Sequence, residues 1–110
     1  MEAGCGWVPY RMERLDEHFE FLQPTVPWLT KPPSQYMKSG QMFYALEMDE
    51  KMLHYVAEFV GAERLVFTTD YNHSDSKFPH TVEEVMERKN ISDTLKAKIM
   101  GENAAKLYNL

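Results

Sequence analysis

One stretch of the chain carries most of its capacity for chemistry: Arg64-Leu65-Val66-Phe67-Thr68-Thr69-Asp70-Tyr71-Asn72-His73-Ser74-Asp75. The apolar run Leu65-Val66-Phe67 is followed by two threonines and then breaks into polar, titratable residues. Continuous apolarity over so few residues suits a strand buried on both faces, as in a parallel sheet. The acid at its end, Asp70, then stands at the sheet's carboxyl edge, where α/β enzymes keep their chemistry. His73 and Asp75 follow on the same loop, an Asp-x-x-His-x-Asp spacing whose donors could hold a metal ion by themselves. The competing reading is simpler. Asp, Asn and Ser after a strand are ordinary turn formers, and a solvated loop is the commoner fate of such a cluster. His18 and His54 fall in helical patterns without partners at metal spacing, and read as surface or structural residues.

The elements that must position this loop follow from periodicity. Gln41-Met42-Phe43-Tyr44-Ala45-Leu46-Glu47 reads as a second strand, ending in acids. Asp49 is placed to cap the next helix, which runs through Met52, Leu53, Val56 and Phe59-Val60 to a glycine stop at Gly61. Strand, helix and the Leu65 strand make a βαβ unit with parallel strands and a right-handed crossover. Upstream, Gly4-Cys5-Gly6-Trp7 is a tight glycine turn of the kind that follows a strand, and Pro9 suits the first turn of a helix. Met12, Leu15, Phe19 and Leu22 then step at three- and four-residue intervals through Tyr10–Leu22, until Pro24 ends the helix. Pro24, Pro27, Pro32 and Pro33 make a long loop with a helical turn near Ser34, and Trp28 is expected to pack over a neighbouring element. Downstream, Thr81-Val82-Glu83-Glu84 matches a capping box, Ser92 caps another helix broken at Gly101, and Ala104, Leu107 and Leu110 share one side of a last amphipathic segment. Two parallel strands with at least four helices are not a finished sheet, and the chain reads as part of something larger.

The chain's 110 residues allow one domain, and its net charge of −5 offers no basic stripe for nucleic acid. Cys5 is the single cysteine, which excludes an internal disulfide and fits a reducing compartment. No run is long or apolar enough for a membrane span, and the start lacks the basic segment of a secretory signal. A soluble, cytoplasmic protein without membrane or nucleic-acid partners is expected.

Three segments carry a family likeness. Thr68 to Asp75, followed by Phe78-Pro79-His80-Thr81, resembles the last barrel strand and loop of the amidohydrolase-related (amidohydrolase 2) branch of metal-dependent hydrolases and decarboxylases. Lys98-Ile99-Met100-Gly101-Glu102-Asn103-Ala104-Ala105-Lys106-Leu107-Tyr108 is similar to that branch's closing helix, and Glu2-Ala3-Gly4-Cys5-Gly6-Trp7 to the end of its strand six. The order and spacing are right across essentially the whole chain. The resemblance implies an α/β fold that is the C-terminal fragment of a (β/α)₈ barrel: two parallel strands, Met42–Leu46 and Leu65–Thr69, with about four to five helices. Residues 1–110 would be a single partial domain matching the barrel's last third.

By the same resemblance, Asp70 matches the strand-eight aspartate, which binds the metal or activates its water and acts as proton acceptor. His73 matches the histidine of the family's Asp-Tyr-Pro-His motif, and Trp7 lies at the barrel mouth, both near substrate. Asn72 stands where the motif has proline, which loosens the loop around His73. The parent enzyme would use a divalent metal, zinc above all, on a small carboxylate- or amide-bearing substrate. Its remaining metal ligands belong to strands one and five, so this chain by itself is expected to be inactive and not to retain stoichiometric metal. A homo-oligomer is expected, because Met42, Phe43, Leu46, Leu65 and Phe67 would otherwise lack cover. The rival reading is a non-catalytic oligomerisation or complementation module derived from that barrel.

Overall fold

The computed structural model describes residues 3–110; Met1 and Glu2, the latter the first residue of the Glu2–Trp7 segment, lie outside the described residues. The first helix, α1, spans Val8–Leu22 with Pro9 in its opening turn, where a missing N–H is harmless. It starts ahead of the periodic stripe because the carbonyls of Cys5 and Trp7 accept the N–H groups of Val8 and Arg11 at 3.1 and 3.0 Å. Val8 and Met12 are fully buried, and Trp7 and Leu15 pack against the same core. The far end of α1 leaves that core. Phe19 and Leu22 there line a shallow groove with Val26, Leu29 and Pro33. Beyond a short 3₁₀ turn at Gln23–Thr25, helix α2 (Pro33–Met37) is tied back to α1 by the Ser34 N–H, which donates to Asp16 Oδ1 at 2.8 Å. Trp28, expected to pack over a neighbour, is instead 72% exposed, because this loop stands beyond the reach of the sheet.

Strand β1 (Tyr44–Leu46), helix α3 (Leu53–Val60) and strand β2 (Leu65–Phe67) form the βαβ unit. The strands are adjacent and parallel, with Tyr44 opposite Leu65, Ala45 opposite Val66 and Leu46 opposite Phe67. Both are shorter than the runs Met42–Leu46 and Leu65–Thr69. Met42 is drawn into a turn by its N–H bond to Ser39 O at 3.4 Å. At the other end, the Thr68 and Thr69 hydroxyls accept the N–H groups of Asp70 and Tyr71, both at 3.3 Å, and turn the chain off the ladder. Burial on both faces is also not what the structure shows. Tyr44, Leu46 and Leu65 are buried, whereas Ala45 is exposed and Val66 half-exposed. Period-two alternation therefore gives one face packed on helices and one open face.

Helix α3 buries Leu53, Val56, Ala57 and Val60 and stops at Gly61, whose φ of 107° is readily available only to glycine. Asp49 does not cap it. Met52 occupies the cap position without a side-chain bond, and the N–H of Leu53 is taken by the Glu50 carbonyl at 3.3 Å. Likewise α4 (Thr81–Glu87) begins at Thr81 with no side-chain cap, since Thr81 is already inside the helix and buried. Ser92 does cap α5 (Asp93–Ala97), its Oγ accepting from Leu95 N at 3.1 Å. Gly101 causes no break. A π-helical turn at Lys98–Glu102 carries the chain on into α6 (Asn103–Tyr108). The inward residue of α6 is Asn103, which donates from Nδ2 to the carbonyls of Ala62 and Leu65, both at 2.7 Å, while Leu107 and Leu110 are exposed.

The core gathers where Met12, Leu46, Leu53, Val56, Leu65, Val85 and Ile99 meet. The radius of gyration is 15.6 Å, above the ~13 Å of a compact domain of this length, and the extents of 50 × 29 × 27 Å describe an elongated body. Two parallel strands covered by helices on one face form a part of a barrel wall. No helix among the described residues is long and apolar enough to cross a membrane.

Candidate functional site

Alternation on the open face decides which side chains share the carboxyl end of the sheet. Ala45 and Val66 are paired there, and alternation carries Glu47 beyond β1 and Thr68 beyond β2 to the same side. Ala45, Glu47, Thr68 and Asp70, together with Ala3, Gly4 and Leu46, wall a cleft of about 270 Å³. A smaller neighbouring hollow joins Glu47, Met48 and Asp49 to Asp70, Asp75, Ser76 and Lys77.

Asp70 sits in the left-handed region at φ 50° and Asn72 at φ 79°, conformations that Asp and Asn tolerate better than most residues. A proline could not take the position of Asn72, because its ring fixes φ near −65°. The loop thus follows a path closed to an Asp-Tyr-Pro-His sequence. Its turns are held by His73 N donating to Asp70 O, Ser76 N to His73 O, both at 3.2 Å, and Ser76 Oγ to Thr69 O at 2.9 Å. A cis Phe78–Pro79 bond follows, and Phe78 meets Tyr71 edge to face with ring centroids 4.7 Å apart.

This path brings the expected residues together. His73 Nδ1 lies 3.2 Å from Asp70 Oδ2. One donor atom each from Asp70, His73 and Asp75 falls within 4.8 Å of the other two. Asp70 is partly buried, and His73 and Asp75 are exposed. Two carboxylate oxygens and an imidazole nitrogen are a donor set that suits a zinc- or manganese-like divalent cation, so the chemistry of these residues fits such a metal. His80 is turned elsewhere, its Nδ1 3.7 Å from Glu83 Oε2. Trp7 packs edge-on against Tyr44 with centroids 6.2 Å apart and donates from Nε1 to Gly4 O at 2.9 Å. It supports the turn that walls the cleft. His18 donates from Nδ1 to Arg14 O on exposed helix surface, and His54 stacks on Tyr55 beside Asn90.

Two acids that the motif reading left aside belong to the same end. Glu47 faces the cleft, and partial burial, then the carboxylates of Glu50, Asp49, Asp70 and Asp75, hold its carboxyl above the ordinary glutamate range. The alternation of Ala45 and Glu47 was the available signal. Glu50 binds the Gly4–Gly6 turn: Oε1 accepts from Cys5 N at 2.7 Å and Gly6 N at 2.9 Å, and Oε2 from Glu47 N at 3.0 Å and the Cys5 thiol at 3.2 Å. Burial, then the bond to Glu50, pushes the Cys5 thiol well up from its usual value, so it is no nucleophile. Nothing local in the sequence marks Glu50.

The chain matches a family model described as amidohydrolase over residues 1–110. No curated protein matches it.

Proposed function

The chain belongs to the amidohydrolase family, and from that premise we propose that it supplies strands seven and eight of a (β/α)₈ metal-dependent hydrolase or decarboxylase. The substrate would be a small carboxylate- or amide-bearing molecule. The observation that carries this reading is the convergence of Asp70, His73 and Asp75 at the carboxyl end of β2. These residues would hold the divalent metal, with zinc the first candidate, which supplies Lewis-acid activation of water and of the scissile group. Asp70 accepts the proton released as water attacks, and His73, beside its Oδ2, steadies the carboxylate in that role. Glu47 lines the same cleft and offers its carboxyl to a substrate's polar groups, its pKa held above the ordinary glutamate range by partial burial and then by the neighbouring carboxylates.

We place this chemistry in the cytoplasm, in keeping with a buried free thiol at Cys5. The chain alone is inactive. Its three donors lie on one exposed loop, and a cleft open to solvent does not exclude water or fix a substrate. Zinc titration followed by calorimetry tests the metal site, and assay of the loaded chain on amide and carboxylate substrates tests the inactivity; steady turnover would refute the latter. A second reading is favoured by the exposed Ala45 and the half-exposed Val66 on the open face: this is a non-catalytic module that pairs with another copy or completes another chain.

A further inference from the structure

Glu50 is fixed more completely than any catalytic role for it would require. Its two oxygens accept four hydrogen bonds, from the N–H groups of Cys5, Gly6 and Glu47 and from the Cys5 thiol. Gly4 lies so close that a Cβ built there would stand 2.3 Å from Glu50 Oε1, and its φ of 55° also favours glycine. Arg88 holds the backbone of the same segment, donating to Met48 O at 2.7 Å and Glu50 O at 2.6 Å. Gly4 and Glu47 both line the cleft that Asp70 also lines. The carboxylate is therefore the tie between these two parts of the lining. We propose that Glu50 is a positioning residue, which sets how Glu47 and the Gly4–Gly6 turn sit against the Asp70 loop. This builds on the proposed metal site but concerns residues outside the metal-holding loop.

Glu50→Gln is the sharpest variant. Its remaining oxygen can still accept from Cys5 and Gly6, while its amide cannot accept from Glu47. Asn103→Ala serves as a control, lowering stability at a point remote from the cleft. Amide NMR of the metal-free, full chain is the first measurement. In Glu50→Gln the signals of Glu47, Asp70 and Asp75 should move while those of α6 stay in place, and in Asn103→Ala the cleft signals should not move. Changes confined to Gly4–Gly6 and Glu47, or equal cleft changes in both variants, would overturn the proposal. Zinc titration is the second measurement: because Glu47 shares a hollow with Asp70 and Asp75, Glu50→Gln should bind zinc measurably more weakly, and Asn103→Ala should bind it as the unaltered chain does. Unaltered affinity in Glu50→Gln would overturn the positioning role. Absence of zinc binding by the unaltered chain would refute the metal reading, and the NMR comparison would still decide the role of Glu50.

Discussion

Asn72 shows how one residue can redirect a loop. At φ 79° it allows the turn that sets His73 Nδ1 against Asp70 Oδ2. Asn72→Pro should therefore destabilise the chain by more than about 1 kcal/mol, as when proline meets an incompatible φ, and should separate His73 from Asp70. Denaturant unfolding with the His73 imidazole signals followed by NMR will show both, and a proline variant as stable as the parent would contradict the geometry. Glu47 gives a pH-dependent prediction. Its carboxyl pKa is raised in the folded state, so its contribution to stability is fully present below the unfolded value and is lost as pH rises through the folded one. Glu47→Gln should accordingly raise the melting temperature near neutral pH, and the gain should vanish in acid. A gain that grows as pH falls would reverse the sign.

Among the elements, the join between β2 and the closing helices invites the plainest stability test. Asn103→Ala removes both donors to the Ala62 and Leu65 carbonyls, a loss of about 1–3 kcal/mol when buried acceptors are left unpaired. The melting temperature should fall by roughly 4–8 °C for each kcal/mol lost, and an unchanged melting curve would show that the bonds are not formed. The sequence made the βαβ unit legible because Leu46, Leu65 and the α3 stripe are dictated by burial, and burial writes itself as periodicity. Helix starts were less legible. Asp49 and Thr81 are ordinary cap residues in sequence, yet the chain turns elsewhere because Glu50 and the burial of Thr81 decide the local path. Gly101 misled for a related reason: a π turn accommodates it without ending the helix. At the site, the Asp70 loop was visible as a break from apolar to titratable residues. The Glu50 clamp was not, because two of its partners, Cys5 and Gly6, are more than 40 positions away in the chain.

At the scale of the whole molecule, an elongated body with an open sheet face sets the expectation for assembly. Leu46 and Leu65, two of the residues expected to need a partner, are already buried, which leaves Met42 at 40% exposure with Phe43, Phe67 and Val66 half-covered. Each such side chain gains about 1.5–3 kcal/mol when fully removed from water. Light scattering at micromolar concentration should give a dimer or a larger species, and a clean monomer would contradict this. The chain's place in a metal-dependent barrel is tested most directly by calorimetric zinc titration of the protein beside Asp70→Ala. Saturable binding of one zinc per chain, too weak to survive dialysis, and none by the variant is the expected result. Equal binding by both, or binding by neither, would contradict a metal site built on Asp70, His73 and Asp75.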